Sequence, residues 1–259
     1  MPAYQFDLVH VYRTEIAAFV VVYALVEVVW LRTRRKREHP SPEVFANLFI
    51  YLVDTVIRFA TWPARFAVYV LVASLTQHRI ATHVFSAIAC YLGVDLVLYA
   101  WHRVLHETEL GWALHSVHHT GREFNVSLGV RVHWLQRAVD DLVYLPLVAV
   151  GFDPLLVLAM VAWNRFSQFW VHTEMIGRLS WLDAWLNTPS NHRVHHALAQ
   201  GGPRANYGSN LMLWDRIFGT YQRNAGSVEY GTDDGELGNN PLTIQLAGMR
   251  EYVERRLAR

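Results

Sequence analysis

The chain has 259 residues, of which 53% are hydrophobic and 17% charged, and its formal net charge is +1 at neutral pH. A charge so close to zero, with no basic stripe interleaved with aromatics, removes the electrostatic case for nucleic acid, and the apolar balance points to a membrane. The single cysteine, Cys90, excludes an intrachain disulfide.

Residues 14–31 (TEIAAFVVVYALVEVVWL) are long and apolar enough to cross a hydrocarbon layer of about 30 Å as a helix, with Glu15 and Glu27 their only charges. No basic leader or cleavage site precedes them, so the segment reads as a retained span. RTRRKRE follows, and the positive-inside rule assigns Arg32, Arg34, Arg35, Lys36 and Arg37 to the cytoplasmic side. Residues 43–75 are apolar but carry Asp54, Arg58, Pro63 and Arg65. That pattern fits a tilted, kinked crossing, or an interfacial helix followed by a second short one. Residues 81–101 form a cleaner span that brings the chain back to the cytoplasmic side where the histidines begin. DLVYLPLVAVGF and DPLLVLAMVAWNRFSQFW are separated by Gly151, Asp153 and Pro154, which predicts a helical hairpin returning to the same face. Beyond residue 173 the chain is more polar and ends in LAGMREYVERRLAR, a candidate surface helix.

Ten of the fourteen histidines fall between positions 102 and 196. His102 and His106 are spaced i, i+4; His115, His118 and His119, and again His192, His195 and His196, are spaced i, i+3, i+4. Each set shares a helical face and can aim its rings at one point. Eight neutral imidazoles packed together leave many ring nitrogens without partners, and protonating them would crowd like charges. Metal resolves both problems, because each ring gives one lone pair while its other nitrogen is held by a neighbouring acceptor. Eight donors exceed one tetrahedral zinc, so two ions are expected; all-nitrogen ligation suits iron, zinc, copper or nickel. The fold class predicted is all-α: a multi-span membrane bundle with a cytoplasmic histidine-rich helical cap. It forms a single domain over 1–259, with 14–101 and 139–171 mainly membrane helices and 102–138 and 172–259 the cap.

With H-x3-H at 102–106 and H-x2-H-H at 115–119 and 192–196, the sequence resembles the fatty acid hydroxylase and sterol desaturase superfamily of membrane di-iron oxygenases. The resemblance runs from about Asp95 to Tyr221. QFWVHTEMIG, NTPSNHRVHH and NYGSNLMLWDRIFGTY are similar to the subgroup containing the alkylglycerol monooxygenases. It implies two iron ions, which zinc can replace in a structure, and O2-dependent hydroxylation of an aliphatic carbon of a membrane lipid, with desaturation as the closest alternative. The metal ligands it implies are His102, His106, His115, His118, His119, His192, His195 and His196, with His172 added by the resemblance itself. Gln168 stands where some relatives use a histidine or asparagine, as a ligand or a structural hydrogen-bond partner. His133 departs from the subgroup and is expected not to be a ligand; Asn191 replaces a histidine outside the core set.

Asp95, an expensive carboxylate inside a span, is expected to support the ligands or to pair with an arginine. Glu107, Glu109, Glu174 and Asp215 are candidates to orient ligand rings. Trp101, Trp112, Trp134, Trp170 and Trp181 either line a lipid channel or sit at the membrane interface. No G-x-G-x-x-G follows a strand, so electrons are expected from outside the chain, from tetrahydrobiopterin or a small electron-transfer protein. A zinc store or transporter and an inactive scaffold are the non-enzymatic alternatives, and the oligomeric state is left open.

Overall fold

Ser41 and Pro42 open the longest element. The Ser41 hydroxyl accepts from the Val44 amide, proline occupies the first turn, and helix Pro42–Leu75 (α2) then runs unbroken for 34 residues. In a computed structural model the chain is described over residues 21–35, 41–198, 205–223, 226, 229–232 and 237–259. The first predicted span, 14–31, lies partly outside these; its described part is helical over 21–34 (α1), while Lys36 and Arg37 lie outside. Among the described residues all regular structure is helical, with two isolated bridges, Leu186 to Leu211 and Ala197 to Tyr230.

α2 decides between the two readings of residues 43–75, since Pro63 sits inside one continuous helix. At 1.5 Å per residue it is about 50 Å long, well beyond a hydrocarbon layer. His83 and Ser86 cap each other to start Val84–Glu107 (α3), a helix of 24 residues. α2 and α3 are the two described helices long and apolar enough to cross a membrane. Only 28% of the most apolar window of each is buried inside the protein, unlike the core helix of a soluble domain. Their outward faces carry Phe45, Phe49, Leu52, Phe59, Phe85 and Ile88, all exposed, a far larger apolar surface than water-facing proteins present.

The helical hairpin forms where it was read, but from shorter pieces. Leu145–Val150 (α6) ends at Gly151, whose φ of +115° puts it in the left-handed region that glycine tolerates. Asp153 then caps Pro154–Ser167 (α7) by accepting from the Leu155 and Leu156 amides. Fourteen residues make α7 about 21 Å long, short of a full crossing, so it packs along α3. Tyr69, Cys90, Val94, Tyr144, Val148 and Val157 form the apolar core between α2, α3 and this hairpin.

The remaining helices sit at the other end of the bundle. Thr108 caps Glu109–His119 (α4); Trp134–Val139 (α5), Pro189–His195 (α8), Leu213–Ile217 (α9) and the C-terminal Pro241–Leu257 (α10) complete it. α10 lies against α4 so closely that a Cβ on Gly248 would stand 2.3 Å from the Ala113 carbonyl. The first turns of α2 are tied to the same end: Ser41 donates to Glu123 and Asn47 to Ser127. Arg131, buried, reaches the Val117 carbonyl, Asn47 and Thr120 at once.

Candidate metal centre

Three sequence motifs become two spatial groups. His102, His106, His115, His119 and His195 form one; His118, His172, His192 and His196 form the other, with candidate donor atoms in each group within 4.8 Å of one another. Helix geometry explains the split. His115 and His119, four apart on α4, share the first group, while His118 is rotated toward the second. Likewise His192 and His196 go together and His195 faces the other way. α3 ends at Glu107, so His102 and His106 occupy its last two turns. His172 enters from the residue after the short 3-10 turn Phe169–Val171. The groups adjoin: the His119 and His196 rings stack at 4.3 Å between centroids. His133 belongs to neither and caps α5, accepting from the Leu135 amide.

Hydrogen bonding fixes which nitrogen is bare. His102 Nδ1 lies 2.9 Å from the Tyr207 carbonyl, His118 Nδ1 3.2 Å from that of Arg131, and His195 Nδ1 2.9 Å from that of Ala205. A carbonyl only accepts, so each Nδ1 carries the hydrogen and each Nε2 presents a lone pair. His115 Nδ1 is held in the same way by Gln136 Oε1 at 3.2 Å. Yet the Nε2 atoms of His102 and His115 stand 3.0 Å apart. Two lone pairs at that distance repel unless a cation lies between them. In the second group His172 Nε2 is 3.2 Å from His118 Nε2 and 2.9 Å from His192 Nε2, with at most one hydrogen to share. The Nε2 atoms of His119, His195 and His196 are buried without a hydrogen-bond partner.

Protons do not supply the missing positive charge. Burial pushes the His172 imidazole down to about 3. It drives His115, His118, His119, His192, His195 and His196 well below the usual range, and repulsion from neighbouring rings adds to it. Neutral imidazoles gathered in groups of five and four, with the lone pairs of His102, His115, His118 and His195 turned into them, fit borderline transition metals. For the metal-free chain the same facts predict acid lability. The folded values lie below the ordinary 6.5, so as pH falls the unfolded chain takes up protons first; stability is intact above about 6.5 and is lost toward pH 3, each ring costing up to about 1.4 kcal/mol per pH unit. Chelated protein should therefore show a melting temperature that drops steeply between pH 7 and 5. A flat profile would contradict the burial of these rings.

The carboxylates are not where the sequence placed them. Glu107 pairs with Arg103, and Glu109 with Arg256 and Arg259, on the exposed surface; Glu174 lies 3.7 Å from Arg35. The exposed Glu107 and Glu109 side chains gain more from arginines at the surface than from a histidine ring. Asp215 acts one step removed: it accepts from the Tyr207 and Gly208 amides and from Thr220, and so steadies the carbonyl that orients His102. Asp95 pairs with no arginine among the described residues. It accepts from Asn164, Ser209, the Asn210 amide and Trp214 Nε1, pinning the loop that carries Tyr207 to α3 and α7. Gln168 donates its amide to Asn164 Oδ1 at 2.7 Å, which joins it to the same network. Asn191 donates to the Asp183 and Leu186 carbonyls. Gln136 and the Tyr207, Arg131 and Ala205 carbonyls were not foreseen; main-chain acceptors leave no mark in sequence.

A cavity of about 250 Å³ reaches both groups, touching His102 and His115 of the first and His118, His172 and His192 of the second. Leu98, Leu105, Val130, Val132 and Phe169 give it apolar walls. Of the five tryptophans considered, Trp101 lines it, donating to Asp140 at 2.8 Å. Trp112 instead lies against the His106 and His119 rings, and Trp181 is exposed.

The fatty acid hydroxylase family model matches residues 87–220, a stretch that includes all nine histidines. Human alkylglycerol monooxygenase is 39% identical over 158 residues, 61% of this chain and 35% of that protein. The ornithine lipid hydroxylase OlsE of Rhizobium tropici is 32% identical over 126 residues, 48% of this chain and 38% of the relative. The chloroplastic beta-carotene 3-hydroxylase of Haematococcus lacustris is 34% identical over 93 residues, 35% of this chain and 29% of the relative. The chain thus spans about a third of the length of the curated relatives it matches. No solved structure matches it.

Proposed function

The chain belongs to the fatty acid hydroxylase family, and from that premise we propose that it is an O2-dependent dimetal oxygenase that hydroxylates an aliphatic carbon of a membrane lipid. The carrying observation is the pair of adjoining histidine groups, with the bare Nε2 atoms of His102 and His115 facing each other, at the wall of a cavity with apolar sides. His102, His106, His115, His119 and His195 would hold one ion, and His118, His172, His192 and His196 the other. Two iron ions bound there would supply oxygen activation and the cleavage of an unactivated C–H bond; zinc in their place would keep the geometry without the redox chemistry.

The protein's own part is positioning and exclusion of water. Carbonyls of Tyr207, Arg131 and Ala205 set the tautomer and ring orientation of three ligands, as outer partners of metal-bound histidines do. The walls from Leu98 to Phe169 keep an alkyl segment dry beside the metals. Hydroxylation is favoured over desaturation because the similar proteins are named as hydroxylases and monooxygenases.

In the bilayer, the first span, α2 and α3 are the crossings, the hairpin of α6 and α7 enters from the cap side and turns at Gly151 beside His78 at the far end of α2, and residues 102–138 and 172–259 form the cap. His102 stands about 27 Å along α3 from Val84, close to one hydrocarbon thickness, which puts the metals at the lipid boundary. Arg35 lies beside Glu174 of the cap, so the basic cluster and the metals share a side, cytoplasmic by the positive-inside rule. Electrons come from outside the chain, from tetrahydrobiopterin or a small electron-transfer protein.

The test is lipid analysis of a host with and without the gene, under 18O2. One heavy oxygen gained by a lipid is the expected result, and loss of two hydrogens would assign desaturation instead. Iron-replete protein with no lipid changed would favour metal storage and overturn the proposal.

A further inference from the structure

The metal-facing cavity also has a charged end. Arg58, Arg137, Asp140 and Arg165 line it together with the histidines, and Arg65, Asp54 and Asp141 stand directly behind. Asp141 is shared by two guanidiniums, Arg65 and Arg165. Asp140 and Asp54 are left for Arg137, at 3.9 and 3.5 Å, too long for hydrogen bonds. The Asp54 oxygens and Arg137 Nε accordingly have no hydrogen-bond partner although buried. Four arginines thus face three carboxylates, and among the described residues no hydrogen bond or ion pair holds the Arg58 guanidinium. Arg58 is about 26 Å along α2 from Leu75, level with His102 and hence at the lipid boundary.

Resting on the oxygenase reading, we propose that the lipid taken by this cavity carries an anionic group, a phosphate or carboxylate, and that Arg58 binds it while the alkyl chain lies against the histidines. Arg58 supplies the planar pair of N–H donors that such oxyanions accept. Arg165, hydrogen-bonded to Asp141, and Arg137, lying between Asp54 and Asp140, set the positive field around it. The span from Arg58 to the metals then determines which carbon is presented.

The test uses full-length, iron-loaded protein in phosphatidylcholine nanodiscs without O2, so that binding is read without turnover. Hexadecyl phosphate is expected to bind at least tenfold more tightly than hexadecanol. Arg58→Gln should abolish that preference while leaving two irons per chain and hexadecanol affinity unchanged, and Arg58→Lys should retain part of it. Equal affinity for the two amphiphiles, no binding of either, or a preference that survives Arg58→Gln would overturn the proposal. Inorganic phosphate competing as tightly as hexadecyl phosphate would overturn the assignment to a lipid. Oxygen insertion into neutral lipids alone would sink this inference and leave the oxygenase standing, whereas no insertion into any lipid would sink the oxygenase.

Discussion

His118→Ala is expected to empty the second metal pocket and abolish oxygen insertion while the first pocket stays filled. His118 is one of four donors in its group, and the others come from three different places: the residue after Val171, α8, and the residue that ends it. Three imidazoles remain in the variant, and the Arg131 carbonyl that held the lost ring has no donor left. Iron should fall from about two to about one per chain, and turnover by about a thousandfold or more, as happens when one member of a catalytic unit is removed. His133→Ala is the matched control. That ring is also buried and lies in the same segment, but its partners are the Leu135 amide and the Gln245 backbone, and it belongs to neither metal group. Its loss should cost about 1 kcal/mol of cap energy and leave the iron count unchanged. Metal analysis of both proteins decides the matter: two irons and full activity in His118→Ala would refute the ligand assignment.

What could be read from sequence is what depends on side-chain type and short spacing. The i, i+4 pair His102 and His106 on the end of an apolar helix, and the turn at Gly151 and Asp153, are local and lie where the pattern put them. The regrouping of the histidines was not legible, because spacing places rings on one face of a helix but does not say which of two neighbouring centres each ring will meet. The path of residues 43–75 stayed open because proline and buried charge permit either a break or a continuous helix. Tertiary contacts decide it, with Arg65 held by Asp141 and Arg137 beside Asp54. The ring-orienting partners were hardest of all. Sequence offered carboxylates, of which Glu107 and Glu109 turned outward to arginines and Asp215 holds backbone amides, while the acceptors used are carbonyls on the loops around Tyr207, Arg131 and Ala205.

Asp95→Ala should be the most damaging change away from the metals. The carboxylate gathers four donors from α7, the 209–210 loop and α9, and all of its partners are buried or half-buried. Alanine would leave the Asn210 amide and Trp214 Nε1 without an acceptor and Asn164 and Ser209 with only each other, at a cost on the order of 3–5 kcal/mol. The damage should also reach the first metal pocket. Released, the 209–210 loop no longer fixes Tyr207, whose carbonyl holds His102, and iron should be lost from that pocket as well as stability. Asp95→Asn separates the contributions. Its oxygen can keep Asn164, Ser209 and the Asn210 amide, but its NH2 group must then face Trp214 Nε1, donor against donor. That variant should fall between wild type and alanine in melting temperature and in iron content. Adding Trp214→Phe to it removes the clash and should restore part of both, although Trp214→Phe alone is destabilising. If the two changes instead add without compensation, Asp95 does not reach the metal centre through this loop, and its burial is explained by the α3–α7 contact alone.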